Sequence, residues 1–196
     1  MSEVKTSKLS PRTSSGTLTL GTSGDTFTVP SGVTFTNSGS ATGFGKVLQV
    51  VSANKTDTAS TTSTSFVATG LEVSITPSAT SSKILINANP VFGGGVSAAV
   101  FSQLWRDSSV IIQADASGSR TRSSSGWLYV YTGYDGNPVP IVYLDSPSST
   151  SSLTYKIMYM SSNASYTAYL NRSEQDADNA NYGVGVSTIT AMEIAG

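Results

Sequence analysis

The chain has 196 residues and is nearly neutral, with 11 Lys and Arg against 12 Asp and Glu, and it contains neither histidine nor cysteine. Without those two residue types the sequence excludes a Ser–His–Asp triad, a Cys–His dyad, disulfides and the usual zinc sites. The net charge of −1 provides no field for nucleic acid, and no apolar run approaches the ~18 residues of a membrane span. We therefore expect neither a nucleic-acid partner nor membrane insertion.

Hydroxyl side chains dominate the composition. The 36 serines and 25 threonines make up about a third of the chain, whereas charged residues are 12%, about half of the usual ~25%. With 38% apolar residues the chain can still bury a core. Residues 1–16 contain lysines but no apolar h-region, so we expect no secretory signal. This pattern is typical of a protein made in a cytoplasm and used at an exposed surface.

Residues 16–45 contain three short phrases in which threonine alternates with an apolar residue, at 17–20, 26–29 and 34–37. Strict alternation predicts β-strand, and the glycine- and proline-containing breakers at 21–25 and 30–32 predict turns. We interpret the segment as β-rungs of a β-prism or triple β-helix type, which need neighbouring repeats or copies of the chain to bury their apolar face. A disordered Ser/Thr-rich arm is the alternative. The predicted rung-packing residues are Leu18, Leu20, Phe27, Val29, Val33 and Phe35.

A Gly/Ser-rich joint at 38–45 precedes a region of a different kind. Leu71, Val73 and Ile75 alternate there with polar residues, as in a strand with one wet face. Turn signals recur every 8–14 residues, so we predict an antiparallel β-sandwich or jelly roll over residues 46–196, after an attachment or shaft segment over 1–45. The predicted strands are 46–52, 71–76, 83–89, 98–106, 109–113, 126–134, 139–145, 151–160, 165–171 and 185–194.

Four phrases carry a resemblance to a known family. They are GTLTLGTSGDTFTVPSGVTFTNSG (16–39), TGLEVSITPSATSSKILI (69–86), LDSPSSTSSLTYKI (144–157) and STITAMEI (187–194). These phrases resemble segments of fibre and appendage proteins of marine tailed bacteriophages, cyanophages among them, whereas residues 90–135 are less similar. The resemblance implies a homotrimer with a slender amino-terminal part that attaches and a carboxy-terminal head similar to trimeric jelly rolls of the tumour necrosis factor type.

The sequence predicts no catalytic residue, metal site or cofactor. A glycosidase needs two carboxylates about 5–10 Å apart, yet every candidate lies in or beside a predicted turn, where acidic residues are common. Those candidates are Asp107, Asp115, Asp135, Asp145, Glu174, Asp176 and Asp178. The acidic stretch 174–183 lacks the pattern of a calcium loop, and Gly93–Gly95 lacks the Lys-Ser/Thr of a phosphate-binding loop.

One predicted strand, at 126–134, carries a row of aromatic side chains. Alternation places Trp127, Tyr129 and Tyr131 on one face and the apolar Leu128 and Val130 on the other. Because the purely apolar pair suits the core, we expect the aromatic row on the outside, covered by a neighbouring subunit or by a sugar ligand. The candidate ligand or interface residues are Trp127, Tyr129, Tyr131, Tyr134 and Asp135.

These observations lead to a functional hypothesis. We expect a non-enzymatic structural component of a bacteriophage virion, a trimeric tail fibre or appendage protein. Residues 1–45 would contact other virion proteins, and the head would touch a host-surface glycan or protein. The protein would be made in the host cytoplasm and released by lysis. The alternatives are a capsid decoration, cement or head-fibre protein and, as a third reading, a polysaccharide-cleaving tail spike.

Overall fold

The computed structural model describes residues 46–196 without interruption and, before them, Thr17, Thr19, Thr36 and residues 22–26 and 28–34. The chain divides into two compact units, Met1–Phe44 and Gly45–Gly196.

The amino-terminal unit contains two equivalent β-turns. In each turn, Thr22–Asp25 and Pro30–Val33, the fourth N–H donates to the first carbonyl, over 3.1 and 3.2 Å. The third residues, Gly24 and Gly32, have φ angles of 95° and 83°, a conformation that glycine adopts at little cost. Both breakers of the repeat are thus turns built on a central Ser-Gly pair.

The rungs between these turns stay a prediction. Of the six predicted rung-packing residues, Leu18, Leu20, Phe27 and Phe35 lie outside the described residues. Val29 and Val33 are exposed, and the described residues of this unit contain no strand. A single chain therefore leaves the two described apolar positions of the repeat uncovered.

Residues 46–196 contain β-strands joined by turns and loops, and no helix. The strands are β1 (Val47–Lys55), β2 (Ala59–Thr61), β3 (Val67–Ile75), β4 (Lys83–Asn89), β5 (Val91–Gly94), β6 (Ala99–Arg106), β7 (Ser109–Ile112), β8 (Trp127–Tyr129), β9 (Gly136–Pro138), β10 (Ile141–Asp145), β11 (Leu153–Ser161), β12 (Ala168–Leu170) and β13 (Ser187–Ile194).

Eight of these strands form an antiparallel jelly roll. One sheet, sheet 1, has the order β1-β13-β4-β10, and the facing sheet, sheet 2, has the order β3-β11-β6-β7, with β8 added beside β6. Strands that are distant in sequence therefore lie side by side in both sheets, as in two nested Greek keys. A third, small sheet contains β2, β12, β5 and β9, in that order. This architecture confirms the predicted all-β antiparallel sandwich.

The core lies between sheets 1 and 2. Alternation along a strand sends every second side chain inward, and in β13 burial alternates over all eight residues. Phe92 and Tyr159 stack in the core with their ring centroids 5.9 Å apart. The residues of the core that are at most 2% exposed include Leu71, Ile75, Ile84, Ile86, Ala88, Val100, Leu104, Ile141, Tyr155, Ile157, Ile189 and Ala191.

The predicted strand at 126–134 is too long. β8 ends at Tyr129 because residues 132–135 form a turn, in which the N–H of Asp135 donates to the carbonyl of Thr132 over 3.2 Å. Three short strands, β2, β5 and β9, were not predicted. β5 contains the glycine run, where a Cβ on Gly93 would lie 2.3 Å from the carbonyl oxygen of Arg172. The run is therefore a close-packing element inside a strand.

Candidate functional site

The aromatic row begins on an edge strand of sheet 2. β8 pairs with β6, which sets Trp127 opposite Phe101 and Tyr129 opposite Ala99. Trp127 is 63% exposed and Tyr131 is 77% exposed, whereas Val130 is fully buried. Leu128 packs against the core. The structure thus places the aromatic side chains on the solvent side of this segment and the apolar side chains inside.

The row does not form one continuous platform, because its members pair off. Trp127 stacks on Phe101 at a centroid distance of 6.3 Å. Tyr129 and Tyr131 contact one another at 5.0 Å with tilted rings, and Tyr134 stacks on Tyr182 at 5.5 Å. The five predicted residues are therefore spread over three local surfaces rather than gathered in one site.

Asp135, the fifth candidate, stabilises its own turn. Its Oδ2 accepts hydrogen bonds from the backbone N–H groups of Tyr131, at 3.1 Å, and Thr132, at 3.0 Å. The bond from Thr132 is the main reason that the pKa of this exposed carboxyl lies below its usual value. The carboxylate thus has a local task as the cap of the turn that ends β8.

A groove of about 500 Å³ lies beside Trp127, on the outer side of sheet 2. The stacked rings of Phe101 and Trp127 line it from the strands, and the β7–β8 loop lines it from the other side with Asp115, Arg120 and Arg122 among others. Among the described residues, no carboxylate lies within 4.0 Å of the guanidinium group of Arg120 or Arg122. We call this the aromatic–arginine groove.

The β7–β8 loop is fastened to sheet 2 by buried polar contacts. Gln103 on β6 donates from Nε2 to the carbonyl of Arg122 over 2.8 Å and accepts from the indole N–H of Trp105 over 2.9 Å. Ser124 joins the same strand, since its N–H donates to the carbonyl of Ser102 and its hydroxyl accepts from the N–H of Leu104. The end of the loop that contains Arg122 and Ser124 is therefore held against sheet 2.

Sequence reasoning missed the groove because its halves are distant in sequence. The pairing of Phe101 with Trp127 depends on strand register, and no short hairpin turn joins these two strands to indicate that register. One signal was available, however. Arg120 and Arg122 stand together within a serine-rich stretch, in a chain that has few charges.

A second surface feature crosses the outer face of sheet 1. Cross-strand pairing aligns four apolar side chains, one from each of β10, β4, β13 and β1. These residues are Leu144, Leu85, Met192 and Val50, and we call them the outer apolar row. Leu144 is 47% exposed and Val50 is 56% exposed. On one side of the outer apolar row, the adjacent row is polar except for Val142, which lies opposite Asn87. On the other side, strand pairing aligns Lys83, Ile194 and Val47.

Two carboxylates have structural roles. Asp145, at the end of β10, is 5% exposed and accepts from Arg106 Nη1 and from the Tyr155 hydroxyl, each at 2.6 Å. It therefore joins sheet 1 to two strands of sheet 2. The position of Asp145 at the end of a strand, beside a turn, agrees with the sequence analysis, whereas its two partners on sheet 2 were not predicted. Desolvation of Arg106 opposes its charge, but the neighbouring Asp145 outweighs it and raises the pKa of the guanidinium.

Glu193 on β13 is fully buried. Its Oε1 accepts from the N–H and hydroxyl of Ser78, at 2.7 and 2.6 Å, and its Oε2 accepts from Gln49 Nε2 at 2.6 Å. Burial alone would raise the pKa of this carboxyl, but the hydrogen bonds from Ser78 and Gln49 prevail and lower it from 4.5 to about 2. The carboxylate thus ties the margin of sheet 1 to the β3–β4 connection.

The remaining acidic candidates are dispersed. Asp107 accepts the N–H of Thr154 beside the β6–β7 turn, and Asp176 pairs with Arg172 at 3.2 Å. Within the described part of the chain, no group of three or more acidic side chains is placed to hold a metal ion. The same residues include no helix with the length and hydropathy of a membrane span.

Comparison with known proteins provides no family. No family model matches the sequence, and no curated protein matches it. Among solved structures, a chain in the structure of infectious bursal disease virus, Gx strain, aligns with a TM-score of 0.38 and 13% identity. The alignment covers 76% of this chain but 40% of the viral chain, so this chain spans well under half of that protein's length.

Proposed function

We propose that the chain is a structural protein of a bacteriophage particle, a trimeric fibre or appendage whose jelly-roll head assembles through the outer face of sheet 1. The outer apolar row carries this proposal. Four apolar side chains lie in register across a whole sheet, with no charged residue among them. Exposure of such an apolar surface to water is unfavourable in free energy unless another molecule covers it.

A second copy of the chain is the occupant that these features support best. The row is uncharged, so it can pack on a neighbouring copy without electrostatic repulsion. Closed symmetric assemblies are the usual result of self-association, and a cyclic trimer forms when one face contacts a different face of the next copy. The amino-terminal repeat supports the same conclusion independently, because its described apolar residues Val29 and Val33 are exposed in the single chain. Both units thus leave apolar surface that neighbouring copies would bury.

The bacteriophage part of the proposal is supported by the sequence phrases at 16–39, 69–86, 144–157 and 187–194, which resemble marine phage appendage proteins. On this basis residues 1–45 attach the protein to other virion components, and the head faces outward. The protein is located in the virion and has no catalytic turnover. The jelly-roll head is equally compatible with a tail appendage and with a capsid decoration protein.

The assembly proposal is tested by light scattering on the purified full chain. We expect a mass of about 60 kDa, three times the 20.2 kDa of one chain. The double variant Val50→Thr, Leu144→Thr should run as a folded monomer, because both residues are exposed and threonine suits a strand. Val184→Thr, also at an exposed valine but in a loop, is the matched control and should remain trimeric.

A stable wild-type monomer at micromolar concentration would contradict the trimer, and a double variant that stays trimeric would contradict the interface. Immunogold labelling of the parent particle then locates the protein. Label on the tail supports the fibre or appendage proposal, whereas label over the capsid favours a decoration protein. Incubation with host polysaccharide and a reducing-end assay tests the absence of turnover, which sustained sugar release would contradict.

A further inference from the structure

We propose that the aromatic–arginine groove binds an acidic saccharide, with a sugar ring packed on Trp127 and its carboxylate held by Arg120. This inference deepens the proposed function by naming the class of host-surface molecule that the head would meet. It rests on the proposed function only for its biological setting, because the groove exists within one chain and its binding can be measured directly.

The size and shape of the groove fit a short oligosaccharide. Its volume of about 500 Å³ lies within the 300–1,000 Å³ typical of sites for small ligands. The stacked pair of Phe101 and Trp127 supplies an aromatic floor. One face of a pyranose ring carries several C–H groups, which pack on an exposed indole while the hydroxyl groups remain in contact with water.

The charges of the groove favour an acidic sugar over a neutral one. Two guanidinium groups, of Arg120 and Arg122, line it against the single carboxylate of Asp115. Arg122 donates from Nε to the carbonyl of Ala114 over 2.5 Å, which fixes its guanidinium within the wall. Arg120 has no carboxylate partner among the described residues. A planar guanidinium of this kind binds a carboxylate through two parallel hydrogen bonds.

The same groove is less suited to single-stranded nucleic acid, the other polymer that stacks on aromatic rings beside arginines. Nucleic-acid binding relies on many basic residues that contact successive phosphates, whereas two arginines and one aspartate line this groove and the chain as a whole has a net charge of −1. For a sugar, by contrast, the carboxylate of Asp115 and the hydroxyls of Ser117 and Thr121 offer acceptors and donors to the ring hydroxyls.

One wall of the groove is preformed, which favours binding. The part of the loop that carries Arg122 is held by Gln103 through the carbonyl of Arg122 and by Ser124 through the backbone of β6. A ligand therefore has little ordering to impose on this part of the loop when it binds, so less of its interaction energy is lost to entropy.

Calorimetric titration of the full chain with tri-galacturonate tests the proposal, with the methyl ester of the same trisaccharide as the uncharged control. We expect saturable binding of the acid that weakens as salt is raised and at least tenfold weaker binding of the ester. Trp127→Ala should abolish binding of both sugars. Arg120→Gln should weaken binding of the acid about tenfold and leave binding of the ester unchanged. Arg120→Lys should bind the acid with an affinity between those of the wild type and Arg120→Gln.

Tyr131→Ala is the matched control, because Tyr131 is even more exposed than Trp127 but does not line the groove. It should bind like wild type. Thermal melting and light scattering of each variant separate a binding defect from loss of the fold or of the trimer. The proposal is overturned if neither sugar binds, if Tyr131→Ala weakens binding as much as Trp127→Ala, or if an oligothymidine binds more tightly than tri-galacturonate.

Discussion

The outer faces of the two sheets follow the same alternation but have different surroundings. On sheet 1 the outward side chains include the outer apolar row, in which Leu144 and Val50 are exposed. On sheet 2 the β7–β8 loop lies over the outward residues, and Gln103 and Trp105 are joined beneath it. An open flat face suits another copy of the chain, whereas a covered face with a groove suits a small ligand.

This contrast predicts which substitutions act on both faces and which on one. Side chains between the sheets support both faces, so their loss should have the largest effect. Side chains under the loop should affect the groove alone. Substitution of exposed side chains outside the outer apolar row and the groove should have little effect on stability or assembly.

The largest effect is expected at Asp145. Asp145→Ala leaves the half-buried charge of Arg106 and the hydroxyl of the fully buried Tyr155 without their partner. Removal of one member of a buried ion pair costs about 3 kcal/mol or more. Urea unfolding should therefore show a loss of this size in the free energy of unfolding, with assembly and sugar binding both weakened.

Asp57→Asn is the control for charge removal, because the Asp57 side chain is 74% exposed although it pairs with Lys55. It should change the free energy of unfolding by less than about 0.5 kcal/mol. A loss at Asp145 no larger than this would mean that the link between the sheets is not a stabilising one.

Glu193 should make stability sensitive to acid. Its pKa is about 2 in the folded protein, below the ordinary 4.5, so its contribution is complete above pH 4.5 and is lost as the pH falls towards 2. Glu193→Gln replaces one acceptor oxygen by an amide N–H donor, which then faces the Nε2 donor of Gln49. Gln49 Nε2 cannot turn away freely, because it also donates to the carbonyl of Thr76. The substitution should cost about 1–3 kcal/mol at pH 7.

The measurement is urea unfolding from pH 7 to pH 2. The wild type should lose more stability over this range than Glu193→Gln, because the variant has no carboxylate to protonate at this position. Glu72→Gln, on the exposed side of β3, should follow the wild type. Parallel pH profiles for wild type and Glu193→Gln would contradict the assignment of acid sensitivity to this carboxyl.

The sequence predicted the strands better than the surfaces. The alternation of Leu71, Val73 and Ile75 gave the correct core face of β3, because side-chain period and burial are local properties. The position of Arg106 beside Asp145 could not be predicted, since it depends on how the sheets face one another. The same holds for the outer apolar row, whose four residues come from four strands and meet only through register.

Gln103 should control the covered face alone. Gln103→Leu keeps the volume but removes the bonds to the carbonyl of Arg122 and to the indole N–H of Trp105. We expect a loss of about 1 kcal/mol or more in global stability and a larger local effect on the β7–β8 loop. Trypsin cleaves after Arg120 and Arg122 once the loop is free to enter the active site of the protease, so limited proteolysis should cut the variant first within residues 113–126.

The assembled mass should not change in Gln103→Leu, because the outer apolar row is on the other sheet. Gln113→Leu is the matched control, since Gln113 contacts Gln103 only through a long 3.4 Å bond. Equal trypsin sensitivity in the two variants, or dissociation of Gln103→Leu, would contradict the separation of the two faces.

The smallest effect is expected at Val142, which marks the edge of the outer apolar row. Val142 is 64% exposed and lies opposite Asn87 in the adjacent polar row. Val142→Thr should change the free energy of unfolding by less than about 0.5 kcal/mol, because an exposed threonine replaces valine without strain or lost burial. It should also leave the trimer intact by light scattering, whereas Leu144→Thr, two residues along the same strand and on the same face, should weaken the trimer. If both variants dissociate equally, the interface is the whole outer face of sheet 1 and not the row. If neither does, the assembly surface lies elsewhere.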